Sequence, residues 1–158
     1  MTGRIERRLA EMGLALPTPS RPVAAYVPAV RIDRLLFVSG QLPLEDGELR
    51  VRGRVGAELT LEEGVEAARL CALHLLAQVK AALGDLDRIA RVVELRGFVA
   101  SAPEFTDHPK VIDGASTLLV SVLGEAGRHA RFAVGCPSLP LDAPVEVGAV
   151  FAVRADGD

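Results

Sequence analysis

The segment GRHARFAVGCPSLPLDAPVEVGAVFAV, residues 127–153, carries the positions most suited to chemistry. It reads as two β-strands joined by a proline-bracketed loop, and the first strand holds one arginine, Arg131, among small and apolar neighbours. A guanidinium on a mostly buried strand needs an anion, and its planar fork grips a carboxylate bidentately, as lysine cannot. That anion is either a resident Asp or Glu or a small acidic metabolite. His129 lies two residues earlier, so on a strand it shares the face of Arg131; it reads as a site-lining candidate or a solvated strand-end histidine. Cys136, followed by Pro137, is a candidate for the site wall, with no sequence-adjacent group to activate it as a nucleophile. On the second strand Val145, Val147, Ala149, Phe151 and Val153 alternate with Glu146, Gly148 and Val150. The first set should face the core and the second the opposite side, which is either solvated or an oligomer interface.

The remaining reactive side chains read as structural. His74 falls opposite the apolar stripe of a helix with no His, Cys or Asp at ligand spacing, and is read as a surface or interface histidine. His108 precedes Pro109 at a helix start and suits a capping or loop role. Cys71 lies at the edge of the same stripe as a small core residue. There is no G-x-S-x-G, Walker loop, G-x-G-x-x-G or paired zinc ligands, so no motif for serine, nucleotide or metal chemistry is present.

The elements that must position Arg131 can be traced from the N-terminus. Residues 4–14 (RIERRLAEMGL) read as a short helix followed by the proline-rich LPTPSRP, a lead-in appended at residues 1–22 to a single domain at 23–158. AAYVPAVRI and LLFVSG are two extended runs separated by Asp33–Arg34, a hairpin in outline, with Pro28 arguing for an edge or bulged strand. Asp46–Gly47 marks a further hairpin turn. Thr60 and Glu63 form a capping box. From there Leu61, Val65, Ala68, Ala72, Leu75, Leu76, Val79 and Leu83 recur at helical spacing until Gly84. Residues 88–100 read as a strand and 109–123 as a second long helix, with Pro109 in its first turn and Gly124 at its end. The order β-β-(β)-α-β-α-β-β points to an α+β fold with two helices on one face of a mixed sheet.

The chain has 158 residues, 49% hydrophobic, 25% charged and 4% aromatic, with no Trp. That suits one soluble domain with a core of Ala, Val and Leu. A net charge of −3 leaves no electrostatic footprint for nucleic acid. No apolar run is long enough to span a bilayer, and the charged, amphipathic N-terminus is not a secretory signal. Two cysteines make neither a disulfide framework nor a zinc site, so a reduced, cytoplasmic protein is expected.

Several segments together resemble one family. FVSGQLPL (37–44), the preceding Tyr26 in AAYVPAV, GRHARFAVG and SLPLDAPVEVGAV occur in order at matching spacing from about Ala24 to Val153. They resemble the reactive-intermediate imine/enamine deaminase (Rid/YjgF, or "endoribonuclease L-PSP") family, in an uncharacterised subgroup. The resemblance implies a chorismate-mutase-like α+β fold and a homotrimer whose sheets line a central barrel, with sites in clefts between subunits. It implies no cofactor and no metal. Arg131 would grip the carboxylate of a small 2-imino or 2-keto acid, Gly40 and Ala133 would offer backbone contacts, and Tyr26 would close the cleft near Ser39. The expected reaction is hydrolysis of the imine to a 2-keto acid and ammonia.

In deaminating members a glutamate two residues beyond the one matched by Glu146 positions the attacking water, and here that position is Gly148. Losing one acid–base group typically costs on the order of 10²–10⁴-fold. Glu146 shares the face of Gly148 but sits roughly 7 Å back along the strand. It reads either as a structural ion-pair partner, the reading placed first, or as a stand-in that holds the water from a distance. Deamination that is weak or acts on an unfamiliar substrate is therefore expected, with a non-catalytic carboxylate-binding or regulatory protein as the alternative. Ribonuclease activity follows only from the old family label, since the chain lacks a basic stripe and an aromatic platform.

Overall fold

The frame of the molecule is a five-stranded sheet in the order β1-β2-β7-β5-β6. Its strands are β1 (Ala29–Ile32), β2 (Leu35–Gln41), β5 (Ile89–Ala100), β6 (Ala130–Cys136) and β7 (Val145–Val153), while β3 (Leu44–Glu45) and β4 (Glu48–Leu49) form a separate hairpin. The helices are α1 (Arg4–Glu11), α2 (Leu61–Leu83) and α3 (His108–Leu123). This computed structural model describes residues 3–155.

Local chemistry accounts for the boundaries. Thr60 Oγ1 accepts from the Glu63 amide at 3.2 Å while the Glu63 carboxylate accepts from the Thr60 amide at 2.8 Å, so the capping box starts α2. Gly84 closes it at φ 80°. Asp46 and Gly47 both take positive φ, 51° and 81°, as a tight β3–β4 turn requires. The strand run expected over 24–32 is paired only over Ala29–Ile32, at the sheet edge. Pro28 has no amide hydrogen to give a ladder; it lies just before the strand and its carbonyl accepts from the Ser39 amide at 2.9 Å.

The alternation on β7 holds: Val145, Val147, Ala149, Phe151 and Val153 are buried together with Leu36, Val38, Leu95 and Val99 beneath α2 and α3. Three helices, rather than the two expected, pack on this face. Ile5 and Leu9 of α1 join the same core, and Asp87 accepts from the Arg4 and Ile5 amides at 2.7 and 2.8 Å, capping α1 from a distant turn. Where α2 crosses α3, Gly114 lets the helices touch: a methyl there would lie 2.1 Å from the Val65 carbonyl oxygen.

Of the two settings read for His74, surface or interface, the surface does not hold: it is only 4% exposed, with Nε2–H donating to the Leu44 carbonyl of the same chain at 2.8 Å. The flank of α2 that carries His74 is covered by residues 17–20 and by the β3–β4 hairpin. Gln78 on the same flank donates to the Ser20 carbonyl at 2.8 Å.

The two strands of residues 127–153 do not pair with each other, because β5 lies between them, antiparallel to β7 and parallel to β6. Helix α3 is the crossover of the parallel pair. The second face of the sheet is bare, with Val30, Phe37, Phe132 and Val134 exposed on it and Phe98 meeting Phe132 edge to face.

Candidate functional site

The residues singled out in the sequence fall into two groups. The first lies on the bare face, where β2 meets β7. The register slips between Val38 and Gln41, so Ser39 and Gly40 form a bulge against β7. Glu146 lies directly over it; a methyl at Gly40 would come within 2.5 Å of Glu146 Oε1, so only glycine leaves this carboxyl its place. Gly148 lies beside the same bulge, and a methyl added to it would be 3.5 Å from the Val38 carbonyl oxygen and 3.7 Å from the Gly40 nitrogen. Ser39 Oγ donates to the Val27 carbonyl at 2.9 Å, and Gln41 Nε2 donates to the Ser39 carbonyl at 2.9 Å. Ser39 thereby ties down the bend that carries Tyr26, a residue 56% exposed.

Glu146 is not the ion-pair partner that the sequence reading placed first. It has no ion pair or hydrogen bond among the described residues, and burial alone pushes its carboxyl above the ordinary value. The reason is its setting: Gly40 and Gly148 beside it offer no charged side chain. A half-buried carboxyl of this kind can hold or release a proton nearer neutrality than an exposed one.

The second group lies on the edge strand β6. Arg131 pairs with Leu95 and Ala133 with Gly97, so both point toward α3 rather than toward the bare face. The Arg131 Nη1 group donates to Asp113 Oδ1 at 2.9 Å and to Ser116 Oγ at 3.0 Å, and Nη2 donates to the Pro109 carbonyl at 3.3 Å. A resident carboxylate therefore meets the guanidinium. His129 shares the face of Arg131 and is joined to it through Ser116, at 2.9 Å from Nε2 to Ser116 Oγ. Asp113 and Ser116 were missed in the sequence. Their signal is their spacing from Pro109, four and seven residues on, which sets all three on one stripe of α3.

The fold does not bring the two groups together within one chain. β7 and β5 separate β2 from β6, which puts about 14 Å between them across the strands. Arg131 and Glu146 also project from opposite faces.

Cys136 belongs to neither group, although it stands near enough for the charge of Glu146 to act on its thiol. It lines a cavity of about 370 Å³ with Arg54, Ser101 and His108 at the C-terminal ends of β5 and β6. Burial, with the charge of Glu146 second, pushes its thiol up, so it is a poor nucleophile. His108 Nε2 lies 3.0 Å from Ser101 Oγ in that cavity. Among the described residues no group of three or more His, Cys, Asp or Glu could hold a metal ion, and no helix is long and apolar enough to cross a membrane.

A family model described as "YjgF/chorismate_mutase-like, putative endoribonuclease" matches residues 6–153. The Trypanosoma cruzi protein TCP17 is 49% identical over 150 residues, covering 94% of each chain. Among solved structures, Atu1372 from Agrobacterium tumefaciens, described as of unknown function, is 52% identical with a TM-score of 0.90, over 95% of this chain and 92% of that one. A Shewanella oneidensis protein called a "putative endoribonuclease" is 37% identical with a TM-score of 0.92, over 96% of this chain and all of that one, a coverage of 100%. With the family match spanning nearly all its described residues, and with its helices packed on one face of a mixed sheet, the chain belongs to the YjgF/chorismate mutase-like family and has that family's α+β fold.

Proposed function

We propose that the protein is an imine/enamine deaminase that hydrolyses small 2-imino acids to 2-keto acids and ammonia, with its site shared between copies of the chain. The observation that carries this reading is the unpartnered, half-buried Glu146 carboxyl over the Ser39–Gly40 bulge. Water attacks the carbon of the C=N bond, and Glu146 takes the proton that water releases. That proton passes to nitrogen to give the carbinolamine, whose hydroxyl proton then moves through Glu146 to the same nitrogen as the C–N bond breaks, leaving the carbonyl and ammonia. Arg131 anchors the substrate carboxylate, Gly40 and Ala133 supply backbone contacts, and Tyr26, held by Ser39, closes the cleft. Gly148 leaves room for the attacking water and makes turnover slow, because no second carboxylate stands there.

Proteins of this family are generally trimeric. In a homotrimer the β6 edge of one subunit meets the bare face of the next, which joins Arg131 to Glu146 and covers Phe37, Phe132 and Val134. A second reading rests on Gly148: with the position of the expected glutamate empty, the site binds 2-keto acids without catalysing anything. Endoribonuclease activity is the reading least favoured, given a net charge of −3 and 4% aromatic residues.

Generating 2-iminopropionate in situ with an amino acid oxidase and following ammonia release tests the proposal. Wild type should accelerate release, Glu146→Gln should lose about 10²-fold of that acceleration, and Arg131→Ala should lose both rate and keto acid binding. No acceleration by wild type, with pyruvate binding retained, would leave the binding-protein reading in its place. Light scattering that finds a monomer at micromolar concentration would overturn the shared site.

A further inference from the structure

The guanidinium of Arg131 is held on one side and open on the other. It has five hydrogens to give: two on each Nη and one on Nε. Both Nη1 hydrogens are taken, by Asp113 at 2.9 Å and Ser116 at 3.0 Å, and one Nη2 hydrogen reaches the Pro109 carbonyl at 3.3 Å. Nε and the second Nη2 hydrogen have no partner among the described residues. With the Arg131 side chain only 24% exposed, an edge of two adjacent donors remains. Two parallel N–H groups match the two oxygens of one carboxylate.

The held side is anchored more deeply than a surface ion pair. An arginine cannot accept a hydrogen bond, so Ser116 Oγ is the acceptor and its own hydrogen is free to point at His129 Nε2, 2.9 Å away. A carbonyl cannot donate, so the 2.6 Å contact to the Gly127 carbonyl places a hydrogen on His129 Nδ1. In the neutral ring Nε2 is then the acceptor that Ser116 requires. Each donor in the series Arg131, Ser116, His129 meets an acceptor, and the series ends on a buried glycine packed against backbone, where a methyl would lie 2.4 Å from the Leu119 carbonyl oxygen. One polar relay thus ties α3, the turn 124–127 and β6 to a single guanidinium orientation.

Apart from Arg91, whose Nη2 donates to the Arg128 carbonyl at 2.9 Å, the cations near this edge have carboxylate partners. Besides Arg131 with Asp113, Lys110 pairs with Asp107 at 3.2 Å and Arg128 with Glu125 at 3.2 Å. A ligand with one carboxylate finds two directed donors here, whereas a second carboxylate would stand near Asp113, whose negative charge repels it.

We propose that Asp113, Ser116 and His129 are positioning residues that lock Arg131 by its Nη groups, present its Nε edge to a single carboxylate, and so select monocarboxylic over dicarboxylic 2-keto and 2-imino acids. The selectivity rests on the deaminase or keto acid reading above; the lock does not. A locked side chain has already lost the rotamer freedom that binding would otherwise remove.

Two arms keep these parts separate. The first needs no ligand: the guanidinium resonances of Arg131 are followed by nitrogen-edited NMR in the full-length protein, assigned through their loss in Arg131→Lys. In wild type the Nη hydrogens should be resolved by hindered rotation. Ser116→Ala should average them, as should His129→Phe, and Ser116→Thr, which keeps the hydroxyl, should restore the wild-type pattern. Freely averaged signals in wild type, or no change in Ser116→Ala, overturn the lock. The second arm titrates 2-oxobutyrate and 2-oxoglutarate by calorimetry. Wild type should prefer the monocarboxylate at least tenfold, and Asp113→Asn should bring the two within about threefold by improving 2-oxoglutarate. An unchanged ratio in Asp113→Asn overturns the selectivity. Binding of neither acid by wild type overturns the functional reading and the selectivity with it, and the NMR arm still decides the lock.

Discussion

Gly148→Glu is the substitution that most directly probes how the bare-face site works. The backbone accepts it: Gly148 lies on a regular strand outside the positive-φ region, and the nearest atoms to an added methyl, at 3.5, 3.7 and 3.8 Å, are at ordinary contact distance. A glutamate there would hold the attacking water beside the bulge, for which an acid–base group is worth on the order of 10³-fold, the middle of the usual range. The new charge would stand roughly 7 Å from Glu146 on the same face. At an effective dielectric of about 20 this repulsion costs about 2 kcal/mol, or a factor of about 30. It also keeps a proton on one of the two carboxyls, the division of labour that paired carboxylates use. The net expectation is about a 30-fold gain in 2-iminopropionate hydrolysis, with pyruvate affinity unchanged. The assay is ammonia release during in situ imine generation, alongside thermal melting and pyruvate titration. A gain below about threefold in a variant that folds and binds pyruvate like wild type would refute the placement of the water beside Gly148.

Further outcomes can be stated for other positions. Gly114→Ala drives a methyl onto the Val65 carbonyl oxygen at 2.1 Å and should cost about 3 kcal/mol, seen as a fall in Tm of roughly 6–12 °C; an unchanged Tm would show that α2 and α3 can separate without loss. Glu146→Gln should be more stable than wild type at pH 7. The folded carboxyl is raised by burial, so its stabilising contribution is present below the unfolded value of about 4.3 and is lost as pH rises through the folded value. Melting from pH 4 to 8 should therefore fall less steeply in Glu146→Gln, and parallel curves would remove Glu146 as the source. Phe37→Asp places a charge on the bare sheet face and should shift the protein to monomers by light scattering at micromolar concentration. Self-association that persists would move the interface elsewhere.

The secondary structure was largely legible because each long element carries its own punctuation. Thr60, Glu63 and Gly84 bracket α2, and the alternation along β7 names its buried face without any tertiary information. Strand order was not legible: no local signal tells that β5 inserts between β6 and β7, since that arrangement is decided by the crossover through α3. For a related reason the burial of His74 was not legible. Its helical face is covered by residues 17–20 and by β3–β4, contacts distant in sequence that no periodicity encodes. For the site, the need of Arg131 for an anion followed from its type and neighbours. That the chain itself supplies one followed only from the spacing of Pro109, Asp113 and Ser116 on a helix whose docking edge was unknown.

The placement of Arg131 and Glu146 on opposite faces of one sheet has a consequence for inheritance. In an assembly whose sites are shared, a chain lacking the arginine and a chain lacking the glutamate each retain what the other has lost. Mixed together, two inactive forms would complement, and some contacts between them would hold a complete set. The unit on which selection acts at this site is then the junction between copies, and a harmful change in one gene copy can be masked or exposed by its neighbour in the same complex.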